Sequence, residues 1–335
     1  MASPWLVIPL TVVQLVQVLR SDKPWWRKTF LVLVSLVILG FFINQALFIP
    51  LDLPAEHSMV GKTVLVTGCT PGGIGYATAK QLAEWNANKI ICTVRSDKKG
   101  KELGLPPNVE YRVLELGDFA SVRQFASELT TKLDVLVLNA GLGTDSSTLT
   151  VNGFEEMFQA NHLSQFLLTR LLLDGGKFNP NARVVFVSST AYFFLGKLDR
   201  EVYGKQPGGR ALPFGMGKYT MGTYADTKLM QVLTAKALGE RYPKIRFVST
   251  CPGFVATNFM SHMPQDLMGK VMTVLSWYFA RTPEQGAARI LQLATTRELD
   301  AGKFYDAYIP LPDSSELTQT NQDWMYDTSV KLVGL

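Results

Sequence analysis

Cysteine is scarce in this sequence, which contains only Cys69, Cys92 and Cys251 among its 335 residues. Three cysteines cannot form the framework of a disulfide-rich secreted module, and no pair has the spacing of a metal site. We therefore predict that the protein binds no metal. Because two of the three fall in segments patterned like buried strands, we expect all of them to be small core residues.

Charge of one sign is also scarce. The net charge is +5, and most of that excess comes from one short segment near the N-terminus. Its charged residues are four cations and one acid: Arg20, Lys23, Arg27, Lys28 and Asp22. The chain has no basic stripe with interleaved aromatic residues, so we predict no nucleic-acid partner.

Two long apolar runs stand at the front of the chain. Residues 5–19 are interrupted by two glutamines, whereas residues 30–50 contain no charged side chain. The second run is long enough to cross a bilayer core, which takes about 20 residues. Trp25 and Trp26 lie beside cations between the runs, a combination that suits the headgroup layer.

This N-terminal region predicts where the protein resides. We predict a membrane anchor in residues 1–58, with membrane lipid as a partner, and a separate domain in residues 59–335. A signal peptide and a buried core helix are the alternatives. The positive-inside rule allows either a single span or a hairpin. Unpaired cysteines and the lack of an Asn-x-Ser/Thr sequon favour the cytosolic side, and we assign the protein to the endoplasmic reticulum.

From Gly61 onward, short apolar β-branched runs alternate with segments of helical spacing. The predicted strands are KTVLVTG, KIICTVR, VEYRVLEL, LDVLVLNAG, ARVVFVSST and IRFVSTCPG. Strands that alternate with helices predict an α/β fold, a doubly wound parallel sheet covered on both faces, here in a single domain.

A glycine-rich turn follows the first strand and leads directly into a helix. Its sequence is TGCTPGGIG, residues 67–75. Glycines let a pyrophosphate approach the backbone, and the N-terminus of the next helix offers free N–H groups. The second strand ends at Arg95, where a basic residue suits a ribose 2′-phosphate. We therefore predict NADP(H) as the cofactor, with NAD kept as the alternative because Asp97 stands close by.

Tyr224 and Lys228 are four residues apart in a predicted helix and so share one face. A Lys ammonium beside a phenol lowers the phenol pKa and makes Tyr224 a candidate acid/base. Ser189 ends a predicted strand, and Asn139 ends the preceding one. Open α/β sheets bind ligands at this edge, so these residues are expected to meet there.

Together these motifs resemble the short-chain dehydrogenase/reductases, most closely the retinol-dehydrogenase-like branch. The resemblance runs from about residue 62 to the C-terminus and implies a Rossmann-type fold. Its motifs are the glycine turn, NAG at 139–141, NHL at 161–163, SS at 188–189, YxxxK at 224–228, PG at 252–253, TPEQGA at 282–287, GKFY at 302–305 and the final LVGL.

The resemblance implies a role for each matching residue. Tyr224 is the acid/base, Lys228 lowers its pKa and holds the nicotinamide ribose, and Ser189 hydrogen-bonds the substrate oxygen. Asn161 supports a water-linked proton path to Lys228. The implied cofactor-binding residues are Gly68, Thr70, Gly73, Ile74, Gly75, Arg95, Glu115, Leu116, Asn139, Ala140, Gly141, Tyr224, Lys228, Pro252, Gly253, Val255 and Thr257.

The sequence departs from the family pattern at several points. The glycine turn is one residue longer than usual, so which glycines contact phosphate stays open. Glu115 stands where the family usually has Asp, Thr227 replaces the usual Ser, and Cys251 precedes the PG turn. None of these changes removes a catalytic group.

Two apolar stretches are candidates for covering the site, residues 190–223 and 258–281. Flexible Met and aromatic side chains suit an irregular apolar ligand, although core packing or bilayer contact would use the same residues. We predict an oxidoreductase that interconverts a lipophilic alcohol and its carbonyl, as a retinoid, sterol or polyprenol, mainly as a carbonyl reductase. The alternatives are a reductase in fatty-acyl or sphingolipid synthesis and a non-catalytic membrane scaffold. A homodimer is expected from the family.

Overall fold

A mostly parallel sheet forms the centre of the described chain. The computed structural model describes residues 24–47, 59–104, 106–143, 148–208, 221–255, 280–296, 299–306, 309–310 and 313–335. Within them the strands are β1 (Thr63–Val66), β2 (Lys89–Val94), β3 (Val109–Val113), β4 (Leu133–Leu138), β5 (Phe178–Val187), β6 (Arg246–Cys251), β7 (Phe304–Asp306) and β8 (Ile309–Pro310).

The order of the strands is β3-β2-β1-β4-β5-β6-β7-β8. The first seven in this order are parallel, and β8 pairs antiparallel with β7. The chain adds β2 and β3 on one side of β1 and then crosses back to add β4 on the other side. The order in which strands are added therefore reverses between β1 and β4. This reversal is the doubly wound topology that the sequence predicts, and it opens a crevice at the carboxyl ends of the strands.

Helices cover both faces of the sheet because its strands are apolar on both sides. The helices of the described residues are α1 (Trp25–Leu47), α2 (Ile74–Glu84), α3 (Asp97–Lys101), α4 (Phe119–Glu128), α5 (Ser164–Asp174), α6 (Ala191–Leu195), α7 (Arg200–Tyr203), α8 (Met221–Arg241), α9 (Pro283–Thr295) and α10 (Gln319–Val333). Two buried clusters result, one on each face: α4, α5, α8 and α10 pack in the first, and α2 and α9 in the second.

A π-helical segment, Phe158–Leu163, precedes α5 without a break. The spacing of apolar residues predicts one continuous α-helix here, and the structure differs from it by this wider turn. Single π turns commonly occur at functional sites because they leave a backbone carbonyl outside the regular hydrogen-bond pattern. Asn161, one of the predicted site residues, lies in this segment.

Cys69 and Cys92 form a disulfide, with Cα atoms 5.6 Å apart. The prediction of three unpaired cysteines is therefore wrong, and Cys251 is the free cysteine of the described residues. The pairing follows from the register of β1 and β2. Cys92 lies opposite Val66, the last residue of β1, and Cys69 comes three residues after Val66. The two cysteines are 23 residues apart in the sequence, and that separation does not indicate that they are close in space. Because two of the three cysteines are paired, the cysteines do not favour the cytosolic side.

The N-terminal helix α1 contains most of the longer apolar run. Among the described residues, no helix combines the length and hydropathy needed to cross a bilayer. The predicted membrane-spanning helix is therefore not confirmed. Residues 5–19 lie outside the described residues, as do residues 48–58, so the division between an anchor and a domain at residue 58 stays a prediction.

Candidate active site

The glycine turn connects β1 to α2 and packs tightly against the end of β4. Gly68 has a φ of +74°, and a Cβ atom there would lie 2.8 Å from the Cα of Ala140. At Gly75 a Cβ atom would lie 2.5 Å from Asn139 Nδ2 and 2.7 Å from the carbonyl oxygen of Gly68. Only glycine fits these two positions, because any side chain would separate the turn from the neighbouring strand.

The outer part of the turn is open. Gly72 has a φ of +74°, and nothing lies within 4 Å of the place where its Cβ would be. Gly73 is the N-cap of α2 and supplies no side-chain hydrogen bond, while its own N–H donates to the carbonyl of Thr70 at 2.8 Å. The first turn, which begins at Ile74, has no side-chain cap, so its backbone N–H groups are left for another partner. This arrangement fits a phosphate group.

The end of β2 lies beside this turn. The N–H of Gly68 donates to Thr93 Oγ1 at 3.2 Å, and Arg95, two residues further, is exposed. Asp97, the acid that favours NAD, is engaged in other contacts. Its carboxylate pairs with Lys101 at 2.5 Å and accepts from the Tyr111 hydroxyl at 2.8 Å. The hydrogen bonds from Lys101 and then from Tyr111 lower the pKa of Asp97.

Glu115 and Leu116 follow β3 at the same edge. Glu115 Oε1 accepts from the N–H of Gly117 at 2.8 Å, which folds the side chain back over its own turn. The Leu116 carbonyl accepts from Ser164 Oγ at 2.5 Å and from Gln159 Nε2 at 3.3 Å. The wall expected beside the adenine is therefore tied to the π segment and to α5.

The NAG segment that ends β4 is tied to the glycine turn. Asn139 Nδ2 donates to the carbonyls of Thr67 at 2.9 Å and Gly68 at 3.2 Å. The N–H of Ala140 donates to Thr67 Oγ1 at 3.0 Å. Beyond it, Gly141 is exposed, and a Cβ atom there would lie 3.4 Å from Lys228 Nζ. Asn139 therefore orients the turn, and Gly141 leaves room for the lysine.

Tyr224 and Lys228 lie on α8, which packs against β5 and β6 on one face of the sheet. Lys228 is buried, and its Nζ lies 5.5 Å from the centroid of the Tyr224 ring. The same ammonium donates to the carbonyl of Val187, the last residue of β5, at 2.9 Å. Burial lowers the pKa of Lys228 to about 8, because desolvation disfavours the charged amine.

The serine pair after β5 divides into two roles. Ser188 is buried, and its hydroxyl donates to the carbonyl of Lys228 at 2.8 Å, so it fastens β5 to α8. Ser189 is partly exposed, and its Oγ accepts from the N–H of Ala191 at 3.2 Å. The hydroxyl of Ser189 thus belongs to the open edge, while Ser188 is a structural link.

Asn161 joins the π segment to the neighbouring elements. Its Oδ1 accepts from the N–H of Leu142 at 2.8 Å, and its Nδ2 donates to the Leu142 carbonyl at 2.9 Å. The same Nδ2 donates to Thr227 Oγ1 at 3.2 Å. Thr227, which replaces the family's Ser, can accept this bond because its hydroxyl donates to the carbonyl of Tyr224 at 2.7 Å.

The PG turn after β6 completes this edge of the sheet. Pro252 and Val255 are buried, while Gly253 has a φ of +86°. A Cβ atom at Gly286 of α9 would lie 2.8 Å from Val255 Cγ2 and 3.4 Å from Ile74 Cγ1, so that glycine lets α9 and the PG turn approach the start of α2. Thr257 lies outside the described residues.

Comparison with known proteins agrees with this geometry. The family described as short chain dehydrogenase matches residues 62–204. Retinol dehydrogenase 13 of Mus musculus is 31% identical over 304 residues, which cover 84% of this chain and 86% of that protein. The chain belongs to the short-chain dehydrogenase family. The predicted resemblance to its retinol-dehydrogenase-like branch is confirmed.

Other relatives of this dehydrogenase extend the comparison. Human retinol dehydrogenase 14 is 30% identical, covering 83% of this chain and 88% of that protein. An uncharacterized protein from Mycobacterium paratuberculosis has a similar structure, with a TM-score of 0.67, 27% identity and coverage of 84% and 97%. The Pseudomonas aeruginosa RhlG/NADP complex, at 23% identity, a TM-score of 0.55 and coverage of 74% and 95%, shares the fold.

Two residues at the site of this dehydrogenase are not predicted from the sequence. Gln231 and Gln165 are fully buried and belong to the hydrogen-bond network of Lys228 and Asn161. Helical spacing was an available signal, because Gln231 is seven residues from Tyr224 and Gln165 is four from Asn161. The candidate covering stretch 258–281 lies outside the described residues except for residues 280 and 281, and residues 209–220 of the other stretch lie outside as well.

Replacing Gly75 by Ala is expected to destabilise the dehydrogenase by about 1–3 kcal/mol, because the new methyl group would collide with Asn139 Nδ2 and the Gly68 carbonyl. Thermal unfolding of the variant measures this loss. Gly40→Ala is the matched control, since Gly40 is also helical and has open space around it. Equal unfolding temperatures for Gly75→Ala and the parent protein would contradict the packing argument.

Proposed function

We propose that this protein is an NADP(H)-dependent oxidoreductase that interconverts a lipophilic alcohol and its carbonyl, acting as a carbonyl reductase. The observation that carries the proposal is the buried Lys228 ammonium beside Tyr224. Both stand at the carboxyl edge of the sheet, next to an open glycine turn. A phenol, an ammonium and the Ser189 hydroxyl at one ligand-binding edge are the groups that proton transfer to a carbonyl oxygen requires.

The residues of the turn and of the neighbouring strand ends fit a dinucleotide. The uncapped start of α2 would hold the pyrophosphate, and Glu115 and Leu116 would border the adenine. Lys228, Asn139 and the PG turn would border the nicotinamide ribose. When bound, the nicotinamide supplies or accepts the hydride, and the protein supplies orientation and protons.

Tyr224 acts as the acid in the proposed reduction. Its phenol gives a proton to the substrate oxygen while the carbonyl carbon gains the hydride, and Ser189 donates a hydrogen bond to the same oxygen. The positive charge of Lys228 favours the phenolate that remains. In the reverse direction the phenolate takes the proton of the alcohol, so one group serves both directions.

The preference for NADP(H) rests on the charges at the end of β2. Arg95 is exposed there and has a planar donor fork that suits a phosphate. Asp97 is held by Lys101 and Tyr111, which reduces its capacity to accept from a free 2′-hydroxyl. In the Pseudomonas aeruginosa RhlG/NADP complex the same fold holds NADP. Cells keep most of their NADP pool in the reduced form, NADPH, so we infer that the reaction runs towards carbonyl reduction in cells.

The proposal of a lipophilic substrate rests on the apolar rim and on the relatives. Phe193 and Phe194 come four and five residues after Ser189, and Phe254 follows Gly253. All three are exposed, and we propose that they form the rim of the site. The side chain of Phe194 is 78% exposed, which is unusual for phenylalanine and typical of an apolar binding surface. Relatives at about 30% identity are named retinol dehydrogenases, and a retinoid is one member of the proposed substrate class.

Association with membranes is proposed for the N-terminal helix. Several large apolar side chains of α1 are exposed: Trp25, Trp26, Phe30, Leu33 and Leu36. The guanidinium of Arg27 lies 5.0 Å from the centroid of the Trp26 ring, which places a cation beside an interfacial aromatic residue. A lipid-dissolved substrate would then reach the site directly.

Tyr224→Phe is expected to lower kcat for carbonyl reduction by about 100- to 10,000-fold, because the proton donor is lost. NADPH binding, measured by fluorescence titration, is expected to be unchanged. A panel of retinal, a 3-keto sterol and ketosphinganine, with NADPH consumption as the readout, identifies the substrate class. The control is Tyr242→Phe, because Tyr242 comes directly after the C-terminal end of α8, away from the site. An unchanged rate in Tyr224→Phe would remove this residue from the mechanism.

Arg95→Asp is expected to weaken NADPH binding by about 100-fold or more, since it replaces a charge-assisted hydrogen bond by repulsion. Binding of NADH, which lacks the 2′-phosphate, should change little. Titrating both cofactors against the same variant provides the internal control. Equal losses for the two cofactors would show that Arg95 does not select between them.

The full chain is expected to float with phospholipid vesicles in a density gradient. Leu33→Glu combined with Leu36→Glu should reduce the floating fraction, because burying two carboxylates in lipid is unfavourable. Val151→Glu places the same charge on an exposed apolar residue outside α1 and should have no effect. Flotation of the double variant at the parent level would argue against attachment through α1.

A further inference from the structure

Two fully buried glutamines lie behind the Lys228 ammonium, on two different helices. Gln231 is on α8, seven residues after Tyr224 and three after Lys228, so these three residues share one face of the helix. Gln165 is on α5, four residues after Asn161. The packing of the two helices therefore brings both amides to the inner side of the site.

The two amides form one chain of hydrogen bonds with Lys228. Lys228 Nζ donates to Gln231 Oε1 at 3.2 Å. Gln231 Nε2 donates to the backbone carbonyl of Asn161 at 2.8 Å and to Gln165 Oε1 at 3.2 Å. Gln165 Nε2 in turn donates to the backbone carbonyl of Ala140. The chain thus runs from the ammonium to the wall of the cofactor site.

The direction of this chain is fixed by Lys228. An ammonium has donors and no acceptor, so the oxygen of the Gln231 amide must face it. The Nε2 group of Gln231 then faces two oxygens, and the Gln165 amide can only be oriented to match. Every amide dipole consequently points its negative end towards Lys228. Such an arrangement stabilises the charged form of a buried amine.

We propose that Gln231 and Gln165 are positioning residues for the proposed reaction, with the Gln231 amide holding the Lys228 ammonium and linking it to the Asn161 carbonyl. The inference rests on the proposed function and adds two residues to it. The family resemblance predicts a water-linked path at this place. A carboxamide keeps its N–H protons at neutral pH, so the Gln231 link orients the lysine and carries no proton.

The charge of Lys228 depends on few groups. The titratable groups that face it, within the described residues, are Tyr224 on α8 and Cys251 at the end of β6. Its other hydrogen-bond acceptor is the neutral carbonyl of Val187. The Gln231 oxygen therefore supplies the polar side-chain contact of a buried cation, and its removal leaves the ammonium with less compensation for desolvation.

The experiment measures the titration of Lys228 directly, in the full chain without cofactor. The 15N resonance of its Nζ, assigned with Lys228→Met, is followed against pH; burial sets the pKa of the parent lysine at about 8. Gln231→Met, which has a similar length and no amide, is expected to lower the midpoint by about one pH unit. Gln231→Glu, which has the shape of Gln and adds a carboxylate, is expected to raise it.

Kinetics provide the second readout. Gln231→Met is expected to lower kcat for NADPH-dependent reduction about 10- to 100-fold, with its pH profile displaced in the same direction as the lysine titration and KM for the carbonyl nearly constant. Gln165→Met should produce a smaller displacement of the same sign. Gln322→Met is the matched control, since Gln322 is a buried glutamine on α10 that donates to the carbonyl of Leu317 at 3.3 Å.

The outcomes separate this inference from the proposed function. An unmoved Lys228 midpoint in folded Gln231→Met, or in Gln231→Glu where the Met variant does not fold, overturns the positioning role. A displaced midpoint with parental kcat and pH profile overturns it as well. If the parent reduces no carbonyl, the proposed function fails, whereas the Lys228 titration still decides whether Gln231 holds the ammonium.

Discussion

The burial of one ammonium group is the constraint on which the site depends. Lys228 has almost no contact with water, so its charge must be met by protein oxygens. The Val187 carbonyl at the end of β5 and the Gln231 amide on α8 provide them. The bond to Val187 ties α8 to the end of β5, and this tie also sets where Tyr224 lies relative to that strand end.

A second set of contacts keeps the π segment against the same strand ends. Asn161 uses both ends of its amide on the backbone of Leu142 and also reaches Thr227 on α8. The Asn161 carbonyl, which lies in the π segment, accepts from Gln231 on α8. Backbone carbonyls and N–H groups therefore form part of the site, and the Asn161 and Gln231 side chains hold them in place.

The cofactor side of the site is built on close approach. Gly68 and Gly75 bring the turn against Asn139 and Ala140, while Gly72 leaves the outer side open. The glycine turn is thus closely packed on its inner side and open on its outer side. This arrangement suits a ligand whose phosphates contact backbone N–H groups. Phe193, Phe194 and Phe254 are exposed near the serine pair and the PG turn in sequence, which agrees with the proposal of a lipophilic substrate.

The sequence by itself determined the parallel sheet, the glycine turn and the pairing of Tyr224 with Lys228, because period, turn chemistry and helical spacing are local properties. Only the tertiary structure decided the rest. The Cys69–Cys92 bond follows from strand register, the engagement of Asp97 from the approach of Tyr111 on β3, and the Gln231–Gln165 chain from the packing of two helices. Each joins residues that are distant in sequence or ordinary by type. Helical spacing places Gln231 on the face of Tyr224 and Gln165 on the face of Asn161, but it does not show that the two amides meet.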